Sequence, residues 1–581
     1  MGKITLNKLK ESETFHLKPP ALYNKEVLLK MYGNGTREEQ TTQEILSLEY
    51  EKYGIESLKK ADGGFLFYVT DRQKQKLTIA NGPDTTTSLF YHVQKDSIII
   101  SCYLKELLGN NEIPKDIDEK QVAAILSCLP RDKESTCYKY IKRLPPGHIL
   151  TFDKSGLKVS PYKTLENIPQ IYLQNDAEYV ERFLELYRKA VKTRIASSSK
   201  TGISLSGGLD SGTVAVLAAE ELAVQGGNLY SYSQIPIYDT KVFLPASRFG
   251  NESGYIKSLC DRYQNIIPKF LDSKHISPVD GIIRSLDLCC QPMHAAGNMF
   301  WIHDIRETAG KDGIDTLLNG QFGNMAVSFA GLKDHSKGLI DFINNSGYYK
   351  LYNEKLSGKA LAKLIIPELI LDIIRKFKQN VQPTRSENWH NFSSINPVFA
   401  EKLGIADVQP FSQKTKKGQN PQHIMYENCF RGVDADIMPV MTEKYGVNYL
   451  DPTFDKELVE FCFGIPDEQH QRYGMARFLI RRAFNEKMPK EIIWNTDRGG
   501  QAADISFRVK DEYKRVKHIL EVLKKSPSGC EILDIQKMEG VLDRTLTEQS
   551  IQIKIDTSSI LLRGVMVGLF LLRNEGDKNE Y

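Results

Sequence analysis

A chain of 581 residues, 41% hydrophobic and 26% charged, is long enough for two or more domains and has the composition of a folded globular protein. Its net charge of +4 is too small for this length to imply a nucleic-acid partner. Nine cysteines, an odd number with no CxxC pair, argue against a disulfide framework or a structural zinc site and for reduced thiols in the cytoplasm.

Residues 1–15 lack the apolar core of a secretion signal, and Leu6 stands where a myristoylation signal needs Ser or Thr. Glu39–Tyr53 and Glu119–Leu129 have helical apolar spacing. Phe65–Val69, Ser97–Ser101 and, after the turn Leu144–His148, Ile149–Phe152 read as strands by their β-branched and aromatic content. This pattern predicts an α+β sandwich domain over residues 1–165. Thr164–Asn175 carries a proline and no clear period, so the boundary belongs there. A second domain, residues 170–581, then opens on an amphipathic helix, Ala177–Arg194.

The stretch Thr201–Leu222 organises that second domain. Ile203, Ser204 and Leu205 fit a buried strand, Ser206-Gly207-Gly208-Leu209-Asp210-Ser211 a tight polar loop, and Gly212–Leu222 an apolar helix. A strand, a glycine turn and a helix N-terminus make an anion site, because free N–H groups converge there and the helix dipole adds positive potential. Asp210 would repel a bare phosphate but suits Mg²⁺ bridging phosphate oxygens. No lysine follows in the position of a kinase-type phosphate loop. Asn228–Ile237 is the next strand, and alternating strands and helices predict a doubly wound parallel sheet with Ser233 at a ligand-bearing strand end. Thr316–Leu318 is another strand, followed by the polar turn Asn319-Gly320-Gln321-Phe322-Gly323-Asn324. Ile560–Leu572 is short, apolar and interrupted by Arg563, a core helix rather than a membrane span.

The SGGLDS loop resembles the pyrophosphate loop of the ATP pyrophosphatases, and the order of segments resembles that of the asparagine synthetases. In the first domain Ala61–Phe65, Ser88–Tyr91, Tyr103–Leu108 and Leu144–His148 carry the likeness to a glutaminase of the amino-terminal-nucleophile class. Its chemistry is missing. Gly2 stands where that class has its cysteine, the first cysteine is Cys102, the glutamine-binding segment has no match near Leu29–Gly35, and Thr42 replaces the aspartate. The first domain is therefore expected to be a degenerate glutaminase.

The resemblance implies ATP held by Ser204, Ser206, Gly207, Gly208, Asp210 and Ser211, with Ser233, Gly320 and Gln321 lining the adenosine side and Gly320 against adenine. It implies Mg²⁺ at Asp210 and at Asn324, which stands where the family has an aspartate. Met325–Gly331, Leu450–Asp455 and Arg498–Asp504 are similar to a narrower branch, the lasso peptide cyclases. That likeness implies adenylation of an Asp or Glu side chain of a precursor peptide and closure of a macrolactam, with a leader peptidase and a leader-binding protein as partners. Arg498, beside Asp497 at the usual lysine position, is the candidate cation, and Glu427, Asp434 and Asp436 are candidate bases. A small-molecule cyclase like β-lactam synthetase, an ammonia-dependent asparagine synthetase-like enzyme and a non-catalytic nucleotide- or peptide-binding scaffold are the alternatives.

Overall fold

The computed structural model describes residues 2–5, 21–22, 42–83, 87–129, 132–163, 168–293, 295–331, 390–405, 434–472 and 475–576. The first domain is built on two four-stranded antiparallel sheets. One runs in the order Gly2–Thr5, Ser97–Ser101, Phe90–Gln94 and Lys142–Arg143. The other runs Gly156–Pro161, His148–Asp153, Lys76–Asn81 and Leu66–Asp71. Ile98, Ile100, Leu77, Ile79, Leu150 and Phe152 fill one core between them. The helices Thr42–Tyr53 and Glu119–Ser127 lie where the apolar spacing predicts, the second closed by Asp118 as N-cap.

The second domain has one five-stranded, wholly parallel sheet. Its order is Ile266–Leu271, Leu229–Gln234, Thr201–Ser204, Thr316–Leu318 and Asn448–Leu450. From Thr201–Ser204 the chain winds outward through two strands on one side, then returns to place Thr316–Leu318 and Asn448–Leu450 on the other. The reversal falls between Thr201–Ser204 and Thr316–Leu318, which pair through Ile203 and Leu318. Such a reversal opens a crevice at the carboxyl ends of the strands. Both glycine turns leave those two strands, so the topology brings them together. The loop helix spans Leu209–Ala223, three residues earlier than expected, so Asp210 and Ser211 belong to its first turn. The strand expected over Asn228–Ile237 is the shorter Leu229–Gln234, with Ser233 and Gln234 at its end.

The helical stretch Ile551–Asn574 is long and apolar enough to cross a membrane, but 83% of its apolar window is buried inside the protein. It is a core helix, interrupted by a π-turn at Thr557–Leu562. Cys289 is buried, whereas Cys290 is half-buried and ends the helix Pro278–Cys289 in a left-handed conformation (φ 55°).

The two domains share one core. Val122, Ile125 and Leu126 of the first pack in the same cluster as Leu286, Met566 and Phe570 of the second. A buried polar lock crosses the junction. Arg143 Nη2 donates to Asp436 Oδ2 at 2.6 Å, Gln291 Nε2 donates to the same oxygen at 2.7 Å, and Cys137 N donates to Gln291 Oε1 at 3.1 Å. Arg563, expected only to interrupt a helix, donates from inside this core to Leu126 O at 3.3 Å. Asp436, a candidate base by sequence, is thus committed to an interdomain ion pair. A buried charge stripped of its partner costs about 3–5 kcal/mol, while an apolar pair of similar volume is tolerated. Asp436→Ala should lower stability to chemical denaturation by about that amount, and the double change Arg143→Met with Asp436→Leu should recover most of it.

Candidate active site

The first turn is braced from within. Ser206 N donates to Ser211 Oγ at 3.0 Å, the two serine hydroxyls lie 2.8 Å apart, and Gly208 N reaches Ser206 Oγ at 3.3 Å. Gly208 is the N-cap of Leu209–Ala223 and has no side chain to cap the first N–H groups of that helix. Those groups and the helix dipole remain available to an anion. Ser204, half-buried, ends the strand before the turn. Glu252, a residue for which the sequence carries no signal, latches the turn from outside: Gly207 N donates to its Oε2 at 2.6 Å. Burial raises the Glu252 carboxyl above the usual range, and the Gly207 bond opposes that rise.

The second turn is pressed onto the first. A Cβ on Gly320 would lie 2.7 Å from the Asp210 carbonyl carbon and 2.8 Å from Ser211 N. One on Gly323 would lie 2.3 Å from Asp210 Oδ1. Only glycine permits this approach. Gly320, expected against adenine, therefore packs on the backbone of the first turn. Asp210 Oδ1 is enclosed without a hydrogen-bond partner among the described residues. Burial raises the Asp210 carboxyl, against the Ser328 hydroxyl and the Arg477 guanidinium.

Asp451 holds the second turn in place. Its Oδ2 accepts Phe322 N at 3.0 Å, and its Oδ1 accepts Thr453 N at 2.8 Å and Thr453 Oγ1 at 2.6 Å. Burial pushes the Asp451 carboxyl up to about 7; its three donors oppose this and the neighbouring Asp210 adds to it. Asn319 Nδ2 donates to Leu450 O at 3.1 Å, which ties the turn to the next strand.

Arg477 is a second residue the sequence did not single out. It has φ 60°, left-handed for a non-glycine residue, at the start of the helix Phe478–Phe484. Such conformations cost about 1 kcal/mol or more and gather at functional sites. Its Nη2 donates to Asn324 Oδ1 at 2.7 Å. Asn324, expected beside a metal, thus turns its oxygen to a guanidinium. Gln321 is exposed in the same turn, its N–H bonded to Asn319 Oδ1 at 3.0 Å. Ser233 is buried at the strand end, and its hydroxyl has no partner among the described residues.

Arg498 arrives from the far end of the sequence. Arg498–Gly499 pairs in parallel with Arg248–Phe249, so Arg498 and Arg248 are register partners. A Cβ on Gly499 would lie 1.9 Å from Glu252 Oε1, so Glu252 bridges the first turn and this strand. Asp497 is exposed, its N–H bonded to Asn495 Oδ1 at 2.8 Å. Glu427 lies outside the described residues. Asp434 opens the helix Asp434–Tyr445, and its side chain is likewise outside them.

Among the described residues no group of three or more His, Cys, Asp or Glu could hold a metal ion. One enclosed carboxylate with an unsatisfied oxygen nevertheless fits Mg²⁺, which is bound through one or two carboxylates when substrate phosphates and waters complete its shell.

Residues 182–558 match the asparagine synthase family and residues 20–163 the glutamine amidotransferase domain. Asparagine synthetase [glutamine-hydrolyzing] 3 of Bacillus subtilis is 28% identical over 232 residues, 39% of this chain and 37% of that protein. Amidase chyE of Penicillium rubens is 29% identical over 224 residues, 38% of this chain and 32% of that protein. Asparagine synthetase [glutamine-hydrolyzing] 1 of Bacillus subtilis aligns more fully, 21% identical over 496 residues, 82% of this chain and 74% of that protein. The chain thus spans about a third of the length of the first two relatives it matches.

The raised Asp451 carboxyl sets a pH dependence. Unfolded, an aspartate titrates near about 3.9, so between there and about 7 the native state holds the proton more tightly. Its contribution to stability is full below about pH 4 and is lost as pH rises through about 7. Denaturation of wild type and Asp451→Asn across this window should show the wild type losing stability relative to the variant as pH rises.

Proposed function

The chain belongs to the asparagine synthase family, and from that premise we propose that it is an ATP-dependent carbon–nitrogen ligase of the cytoplasm. It activates a carboxylate as an acyl-adenylate, releasing pyrophosphate, and an amine carried by the substrate then displaces AMP. The observation that supports this most is the meeting of the two glycine turns at the strand reversal, with the Asp210 carboxylate enclosed between them. The uncapped N-terminus of Leu209–Ala223, with the Ser206 and Ser211 hydroxyls, receives the β,γ-phosphates. Asp210 would hold Mg²⁺, which when bound neutralises charge on the phosphate oxygens. Arg477, which lies against the second turn, and Arg498, beyond Glu252, would serve as the cations for the charge that builds as pyrophosphate and AMP leave. Ser233, whose hydroxyl has no partner among the described residues, would serve the adenosine side.

The first domain supports an amine that does not come from glutamine. Gly2 is paired in a sheet strand with Ile100 and brings no thiol, and Cys102, the first cysteine of the sequence, is buried. The finer reading is a lasso-type cyclase. It adenylates an Asp or Glu side chain of a ribosomal precursor peptide, and the peptide's N-terminal amine, freed by a leader peptidase with a leader-binding protein, closes the macrolactam. A second reading, ammonia-dependent amidation of a small acid, draws on the names of the relatives and the match of residues 20–163.

Pyrophosphate release from ATP and Mg²⁺ should appear on adding a precursor peptide with a free amino terminus, and the product should be a cyclic peptide by mass. Asp210→Asn should cut the rate by at least about a hundredfold. Release with ammonium and a small acid instead would establish the second reading, and no release under any condition would remove both.

A further inference from the structure

Glu252 stands at the N-cap of the helix Ser253–Arg262, yet its side chain makes no capping bond there. Asn251 serves that end instead, its Oδ1 accepting Ser253 N at 3.0 Å. The Glu252 carboxyl reaches across to the first turn and takes the N–H of Gly207. Gly207, expected among the phosphate donors, has thereby given its one N–H to a carboxyl group of the protein. At 2.6 Å the bond is short, as bonds to an ionised acceptor are. The positive end of the helix favours the ionised form as well. A Cβ on Gly207 would lie 3.1 Å from Tyr255 Cβ and 3.3 Å from Glu252 Cβ, so the start of this helix is packed directly on the turn. The other oxygen, Oε1, lies against Gly499, which has no Cβ to meet it. The Phe249 and Tyr255 rings pair beside the group, centroids 4.9 Å apart. Among the described residues no lysine, arginine or histidine forms an ion pair with Glu252, and Gly207 N is its one hydrogen-bond donor.

A turn built to hold phosphate gains nothing from a carboxylate without a counter-ion at its side. As a brace the charge is unnecessary, because a glutamine oxygen would accept the same N–H. What the charge adds is repulsion. Beside aromatic rings and away from bulk water, like charges repel more strongly than they do in solvent. ATP offsets that repulsion with the contacts of its adenosine. Pyrophosphate, once cut from the nucleotide, has no adenosine contacts left, so the same repulsion falls on the product with less to oppose it.

We propose that Glu252 is a positioning residue that fixes the first turn through Gly207 and, by its charge, drives pyrophosphate out of that turn after adenylation. This rests on the ligase reading above. The test is calorimetric titration of the full chain with pyrophosphate and Mg²⁺, comparing wild type, Glu252→Gln and Glu252→Ala. Glu252→Gln keeps an acceptor for Gly207 N and removes the charge, so it should bind pyrophosphate about tenfold more tightly than wild type. Glu252→Ala removes the brace together with the charge and should bind pyrophosphate more weakly than Glu252→Gln. In turnover, inhibition by added pyrophosphate should set in at about tenfold lower concentration in Glu252→Gln. Binding by Glu252→Gln no tighter than wild type would overturn the proposal, and equal tightening in both variants would overturn the bracing role. Tighter binding by Glu252→Gln in a protein that releases no pyrophosphate from ATP would support the repulsion and remove the ligase reading instead.

Discussion

Asp210 is held between two backbone turns that approach each other more closely than any residue but glycine allows. Gly320 rests on its backbone and Gly323 on its carboxylate, while Asp451 fastens the second turn through Phe322 N. Neither turn is strained by a left-handed glycine here; the constraint is proximity. Asp210 Oδ1, enclosed without a hydrogen-bond partner among the described residues, is costly to bury unless a proton or a cation joins it. Burial raises the carboxyls of both Asp210 and its neighbour Asp451. The strand reversal makes the approach possible, because it puts the ends of Thr201–Ser204 and Thr316–Leu318 next to each other.

Around this point the molecule is built for rigidity. The first domain shares its core with the second and is bolted to it by Arg143, Asp436 and Gln291. A domain that shares its core with its neighbour steadies that neighbour's cleft. Glu252 extends the same economy to the other end of the sequence, joining the first turn to the strand that bears Arg498. Two segments far apart in the chain thus meet across one carboxyl group.

Much of the fold was legible because its signals are local. The strand before SGGLDS, the Thr316–Leu318 strand, the helices after Asn175 and Asp118, and the two antiparallel layers follow from periodicity and turn chemistry. The start of the loop helix was misjudged because Leu209-Asp210-Ser211 has the composition of a turn, whereas an uncapped N-terminus admits it to the helix. Glu252, Arg477 and Arg248 were invisible for another reason. Each sits in an unremarkable stretch and gains its meaning from a contact more than 40 residues away, Gly207 for Glu252, Asn324 for Arg477 and Arg498 for Arg248. Asp436 shows the converse: a carboxylate in a suggestive region, its chemistry spent on Arg143.

The central claim is that a carboxylate attacks the α-phosphorus of ATP. Labelling that carboxylate with ¹⁸O, in whichever peptide supports pyrophosphate release, and weighing the AMP produced tests it most directly. One ¹⁸O should pass from the carboxylate into AMP. Unlabelled AMP, or label in inorganic phosphate with ADP as the other product, would contradict the account.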